Sequence, residues 1–144
     1  MCVIWKDHRE LTILEIFENV EGDIIQMVPI EEVERIHELI SERSNHIEKL
    51  KQQGASCRTL AVMKEVNFDR LPVFSKLEVR AIPEEKFPIH GEISVRGNTV
   101  FMYSYKSTLL GLVVTSKELA DTFRAIFELA WNGASQYPEK KGEE

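Results

Sequence analysis

The sequence predicts a single α/β domain: a mixed, largely parallel sheet with flanking helices. Three observations lead to it. A strand–helix–strand succession runs from residue 23 to 63, a hairpin with a glycine turn follows at 92–105, and an apolar strand and an amphipathic helix fill 109–131. Parallel strands need a crossover of a dozen or more residues, usually helical, and the first succession has that length. With 144 residues, of which 43% are apolar and 29% charged, the chain has ordinary globular composition and enough length for one core.

In order along the chain, residues 10–22 place Leu11, Leu14, Phe17 and Val20 at helical spacing. Ile13 and Ile16 also suit a strand, and the segment is read as a helix. The run DIIQMV at 23–28, closed by Pro29, reads as a buried strand. From 31 to 53, Val33, Ile36, Ile40, Ile47 and Leu50 recur with charged residues between them, which predicts one amphipathic helix ended by Gly54. CRTLAVM at 57–63 is the second strand. Residues 64–76, with Pro72, read as loop with one helical turn. LEVRAI at 77–82 alternates and ends at Pro83, giving a third strand.

Gly97 and Asn98 tolerate the positive φ of a tight turn between strands at 92–96 and 99–105. LLGLVV at 109–114 is apolar throughout and reads as a central strand buried on both faces. Thr115 and Glu118 have capping-box spacing ahead of a last helix that buries Leu119, Phe123, Ile126, Phe127, Ala130 and Trp131 and stops at Gly133. The domain is thus expected over 1–135, with 136–144 (QYPEKKGEE) a disordered tail.

Composition excludes several classes of function. A formal net charge of −6 repels a phosphate backbone unless the cations cluster on one face. The two cysteines, Cys2 and Cys57, make no CxxC pair, and a reducing cytoplasm fits them best. The opening MCVIWKDHR carries charges where a signal peptide needs an apolar core, and no run approaches the ~20 apolar residues of a membrane span. No membrane partner is expected.

No pair among His8, His37, His46 and His90 has the spacing that sets two ligands on one helical face, so neither metal nor cofactor is expected. Cys57 opens an apolar strand, where a thiol acts as a small hydrophobe. Gly91, Gly97 and Gly111 are too dispersed for a phosphate-cradling loop. The acidic run Glu31, Glu32, Glu34, Glu38 and Glu42 is assigned to the solvent face of its helix. Trp131, Phe123 and Phe127 form a stripe that reads as core rather than as a partner surface.

The segments DIIQMVPIEEVERI, CRTLAVM, VRAIPEEKFPIHGEISVRGNTVFMYSYK and LLGLVVTSKELADTFRAIFELAW together resemble the C-terminal domain of TrmB-type transcriptional regulators. The resemblance covers roughly residues 20–134 and is most specific from Ile82 to Trp131. It implies a fold similar to a degenerate half of a phospholipase-D-like unit. The implied function is sensing of a small effector, often a sugar, and holding of a regulator as a homodimer. Only about twenty residues precede the resemblance, so DNA contact is expected only through a separate helix-turn-helix domain not in this chain.

Phospholipase-D-like enzymes carry His-x-Lys with a later Asp, the histidine attacking phosphorus and the lysine holding phosphate oxygens. The matching stretch begins at His90, but Glu92 stands at the lysine position and Gly97 at the aspartate position. A carboxylate there repels phosphate, so no enzyme is expected. The alternatives are a phosphodiesterase half-unit completed by a second chain and an interaction module without ligand. Ligands of open α/β sheets bind beyond the carboxyl ends of parallel strands, here near 28–30 and 63–65 with the loop 84–91 above. Glu65, Glu84, His90 and Glu92 are therefore the expected ligand-binding residues. They suit a neutral polyol better than a phosphorylated sugar.

Overall fold

The computed structural model describes residues 2–6, 10–72, 75–106 and 109–142, with side chains throughout except at 2–14 and 37–43. The expected packing of Leu11, Leu14 and Ile40, and of Glu38 and Glu42, lies outside the described side chains.

Strand β1 (Cys2–Lys6) and helix α1 (Glu10–Asn19) lead into β2 (Ile24–Pro29), which runs directly into α2 (Ile30–Glu34) and α3 (His37–Gln52). Strand β3 (Cys57–Met63), a 3-10 turn at Phe68–Arg70 and β4 (Leu77–Pro83) follow. Next come the hairpin β5 (Gly91–Arg96) and β6 (Thr99–Ser104), then β7 (Leu110–Thr115), α4 (Lys117–Gly133) and β8 (Glu139–Lys141). One eight-stranded sheet results, in the order β1-β7-β6-β5-β2-β3-β4-β8.

The sheet is mixed and flanked by helices, as expected, but it is mainly antiparallel rather than largely parallel. Among the described residues, only β2–β3 and β3–β4 pair in parallel. The hairpin chain β5–β6–β7 pairs antiparallel, β5 joins β2 antiparallel, and both edge strands do the same. Strand direction depends on partners far along the chain, which local sequence does not show.

Four further expectations are corrected. The helix read across 31–53 is broken at Arg35 and Ile36, where Ile36 takes φ −107° and ψ 89°. Strand β7 lies second from the edge, and Leu110 is 38% exposed. The cap of α4 is Ser116, whose hydroxyl accepts from the Leu119 amide, one residue after the predicted Thr115. The segment after Gln136, predicted as a disordered tail, places β8 on β4, with Glu78 opposite Lys141.

The sheet separates two cores. On one face α1, α2 and α3 cover Ile24, Val28, Ala61, Met63 and Phe101, with Phe17 of α1 buried among them. On the other, α4 lies across β2, β5 and β6 and buries Phe127, Trp131, Leu60, Val62, Val95 and Val100. Helix α4 sends only part of its predicted stripe inward, because one helix on a flat sheet buries a narrow arc. Leu119 and Ile126 are about half exposed, while Trp131 is buried, stacked on Phe127 and covered by the Arg80 guanidinium 4.4 Å from its ring centroid. No described helix is long and apolar enough to cross a membrane.

Truncating a large buried aromatic removes its transfer free energy and leaves a cavity. Trp131→Ala should therefore lower stability by about 3–5 kcal/mol in urea unfolding, whereas Leu129→Ala, at a 76% exposed position, should change it by less than about 0.5 kcal/mol.

Candidate functional site

Side chains at even positions of β2 and β5 and odd positions of β3 point to the α3 side of the sheet, because successive strand residues alternate. The register sets Gln26 opposite Thr59 on one side and Ser94 on the other. These three polar residues thus form a row across three adjacent strands in the middle of an apolar face. The Gln26 amide donates to Thr59 Oγ1 at 3.0 Å, and the Ser94 hydroxyl donates to Gln26 Oε1 at 3.4 Å. An amide has two N–H donors and a carbonyl with two lone pairs, so these bonds leave Gln26 capacity for a further partner.

A cavity of about 570 Å³ opens above this row. Its floor is Gln26, Thr59, Ser94 and Glu92 with Val28 and Val79, and its roof is Ile47 and Leu50 of α3 with Ile30 and Val33 of α2. A volume of this size matches small-molecule sites, which are mostly apolar with a few fixed polar groups. Arg70 stands in the wall, but two carboxylates occupy it. Glu34 accepts from Nε at 2.9 Å and from Nη2 at 2.6 Å, and Glu31 accepts from Nη1 at 2.9 Å. Hydrogen bonding to Glu34 first, and to Glu31 as well, outweighs partial burial and raises the Arg70 pKa. Arg70 is thus neutralised by its two carboxylates, and Glu92 stands in the floor of the same chamber.

Cys57, also in the cavity wall, is inert by environment. Burial pushes its thiol up to about 12, and the Glu92 carboxylate adds to that, against the Thr59 hydrogen bond and the Arg96 charge. The thiolate is the reactive form, and it is scarce at neutral pH.

A second cluster lies at the carboxyl ends of β2 and β4. His90 Nδ1 is 3.2 Å from Glu32 Oε1 and 3.7 Å from Glu84 Oε1, and the Arg35 guanidinium donates to the other oxygen of Glu32. Glu84 is fixed there by its amide, which donates to the Met63 carbonyl at 2.9 Å.

Of the four residues expected to bind a ligand together, the structure joins Glu84 and His90 only. Glu92 points from the same face of β5 into the cavity, where it is 3% exposed, and Glu65 is exposed on the loop after β3. The cavity is lined by Glu92 and by none of the other three. Three members of the acidic run are likewise reassigned, Glu34 being held by Arg70. Glu32, expected in solvent, is 3% exposed against His90, and Glu31 is engaged by Arg70. Periodicity placed Glu32 outside because its partner lies 58 residues away. The polar row was missed too, although three hydrogen-bonding residues in apolar strands (Gln26 in IIQMV, Thr59 in CRTLAV, Ser94 in EISVR) were the signal available.

Comparison with solved structures establishes the fold. The chain superposes on TrmBL2, an archaeal chromatin protein whose structure shows a novel mode of DNA binding, with a TM-score of 0.63 and 13% identity, over 92% of this chain and 53% of that one. The chain thus spans about half the length of TrmBL2. It superposes on Nuc, a phospholipase D family member from Salmonella typhimurium, with a TM-score of 0.67 and 12% identity over 99% of both chains. For NucT from Helicobacter pylori the TM-score is 0.66 and the identity 8%, over 89% of this chain and 93% of that one. No protein-family model matches the sequence, and no curated protein sequence does. The fold is phospholipase-D-like.

Native-state labelling with an aromatic disulfide reagent should leave Cys57 unmodified in a Cys2→Ser variant, with rapid reaction only after denaturation. Rapid labelling of the folded protein would show that the wall of the cavity is open at Cys57.

Proposed function

We propose that this domain is a non-catalytic, effector-sensing and dimerising unit of a TrmB-like transcriptional regulator, and that it holds a neutral, hydroxyl-bearing molecule such as a sugar above the row Thr59–Gln26–Ser94. The observation that carries the reading is the set of carboxylates around His90 at the start of β5. His90 is held between two carboxylates, and two residues on, the buried Glu92 adds a third on the same face of the strand. Attack on a phosphodiester requires positive charge around the developing phosphorane oxygens. This face instead supplies negative charge beside a chamber with hydrogen-bonding floor and apolar roof, which suits the polar edges and apolar faces of a sugar ring.

The likeness to TrmBL2 supports the regulatory part of the reading. A net charge of −6 argues that any DNA contact belongs to a separate helix-turn-helix domain. Leu119, Ile126 and Leu129, exposed together on α4, support self-association. The equally good superposition on Nuc and NucT favours a second reading, a phosphodiesterase half-unit.

A panel of neutral sugars and their phosphorylated counterparts, screened by thermal shift, separates the two. Ligand at one hundred times its Kd stabilises by about 2.7 kcal/mol. A neutral sugar should raise the melting temperature of the wild type and much less that of Gln26→Leu, with no response to the phosphorylated forms. Turnover of a generic phosphodiester that vanishes in His90→Ala would establish the enzyme instead. Light scattering should report a dimer, and a monomer at high concentration would remove that part of the reading.

A further inference from the structure

We propose that Glu32, Glu84 and His90 form a binding site for one divalent transition-metal ion, of which zinc is the type. The site is separate from the effector chamber, but it shares His90 and its two carboxylates with the argument against phosphodiester chemistry. One ligand atom from each of the three residues lies within 4.8 Å of the other two. A tetrahedral zinc centre with bonds of about 2.0–2.1 Å spaces neighbouring donors about 3.3 Å apart. His90 Nδ1 lies 3.2 Å from Glu32 Oε1 and 3.7 Å from Glu84 Oε1, which bracket that edge length. The two carboxylates lie within 4.8 Å of each other, so an ion fits between the three donors once their side chains close on it.

The three ligands come from three separate places in the fold. Glu32 stands on α2, Glu84 directly follows β4, and His90 directly precedes β5. This is why the chain has no local metal motif, since the three positions converge only once β2, β4 and β5 are placed in the sheet.

The surroundings are those of a ligating set. Glu32 is buried and turns one oxygen to His90, while Arg35 holds the other oxygen and so fixes the carboxylate plane. Glu84 is tied to the end of β3 through its amide. His90 is 40% exposed, which leaves a side of the cluster open to water for a fourth position.

Charge and donor type select the ion. With a neutral imidazole the two carboxylates exceed the one guanidinium by a single negative charge, so a dication is attracted here. Calcium and magnesium favour six or more oxygen donors, and copper(I) favours sulfur. Two carboxylates and one imidazole suit zinc or manganese. The bound ion would clamp α2 to the β4–β5 connection and stabilise the folded chain.

The test is calorimetric titration of the EDTA-stripped chain with zinc chloride, alongside Glu84→Gln and His90→Ala. The expected result is one strong equivalent of zinc and a higher melting temperature. Affinity should fall at least about tenfold in Glu84→Gln and His90→Ala. Circular dichroism and metal-free melting of each variant separate loss of the site from loss of the fold, with the isosteric Glu84→Gln expected to fold as the wild type does. The absence of zinc binding in the wild type overturns the proposal. So does binding of unchanged affinity in folded Glu84→Gln and His90→Ala, which would place the ion on other histidines.

Discussion

The guanidinium of Arg96, at the end of β5, is buried under the helical layer and collects acceptors from three directions. Its Nη1 donates to the Phe17 carbonyl at 2.9 Å, its Nε to the Gly22 carbonyl at 3.0 Å, and its Nη2 to Gln53 Oε1 at 3.0 Å. Burial lowers its pKa, and an uncompensated charge in that position would be strongly destabilising. Each acceptor marks an end: the last turn of α1, the bend before β2 and the last turn of α3. One side chain thus pins both long helices on that face to one corner of the sheet. The backbone accommodates this closely, since Gly97 sits at φ +59° with the Glu21 carbonyl only 3.0 Å from where a Cβ would lie.

What lies under the pinned layer follows from the composition of the two sheet faces. Beneath α4 the strands present Leu60, Val62, Val95 and Val100, which can close into a dry core. Beneath α3 the register brings Thr59, Gln26 and Ser94 together, and the buried Glu92 follows on β5. Polar groups withdrawn from water need partners, so this face cannot be sealed with aliphatic side chains alone. A chamber above a polar row is the outcome. At the adjoining sheet end, His90 lies between Glu32 and Glu84.

The sequence made the local parts of this fold legible and concealed the non-local ones. CRTLAVM is a strand over the same residues that were read from it, because its apolar run is bounded by turn signals on both sides. The Gly97–Asn98 hairpin was equally clear, since the two strands it joins are neighbours in the chain. Strand β1 passed unrecognised in MCVIWK because its partner β7 lies more than a hundred residues later. The break between α2 and α3 was invisible because Val33, Ile36, Ile47 and Leu50 keep their phase across it. His90 and Glu84 were read together because they are six residues apart in one loop, and Glu32 was not read with them because only the β2–β5 pairing brings it near. Glu92 was identified for its charge, while its place in the chamber floor depends on the fold.

The central claim is that the α3 side of the sheet is a ligand chamber rather than a catalytic face, and chemical-shift mapping tests it most directly. With a stabilising neutral ligand added to isotopically labelled protein, the largest changes should fall on Gln26, Thr59, Ser94 and Leu50, around the cavity. Changes confined to the exposed face of α4, with these positions unmoved, would contradict the account.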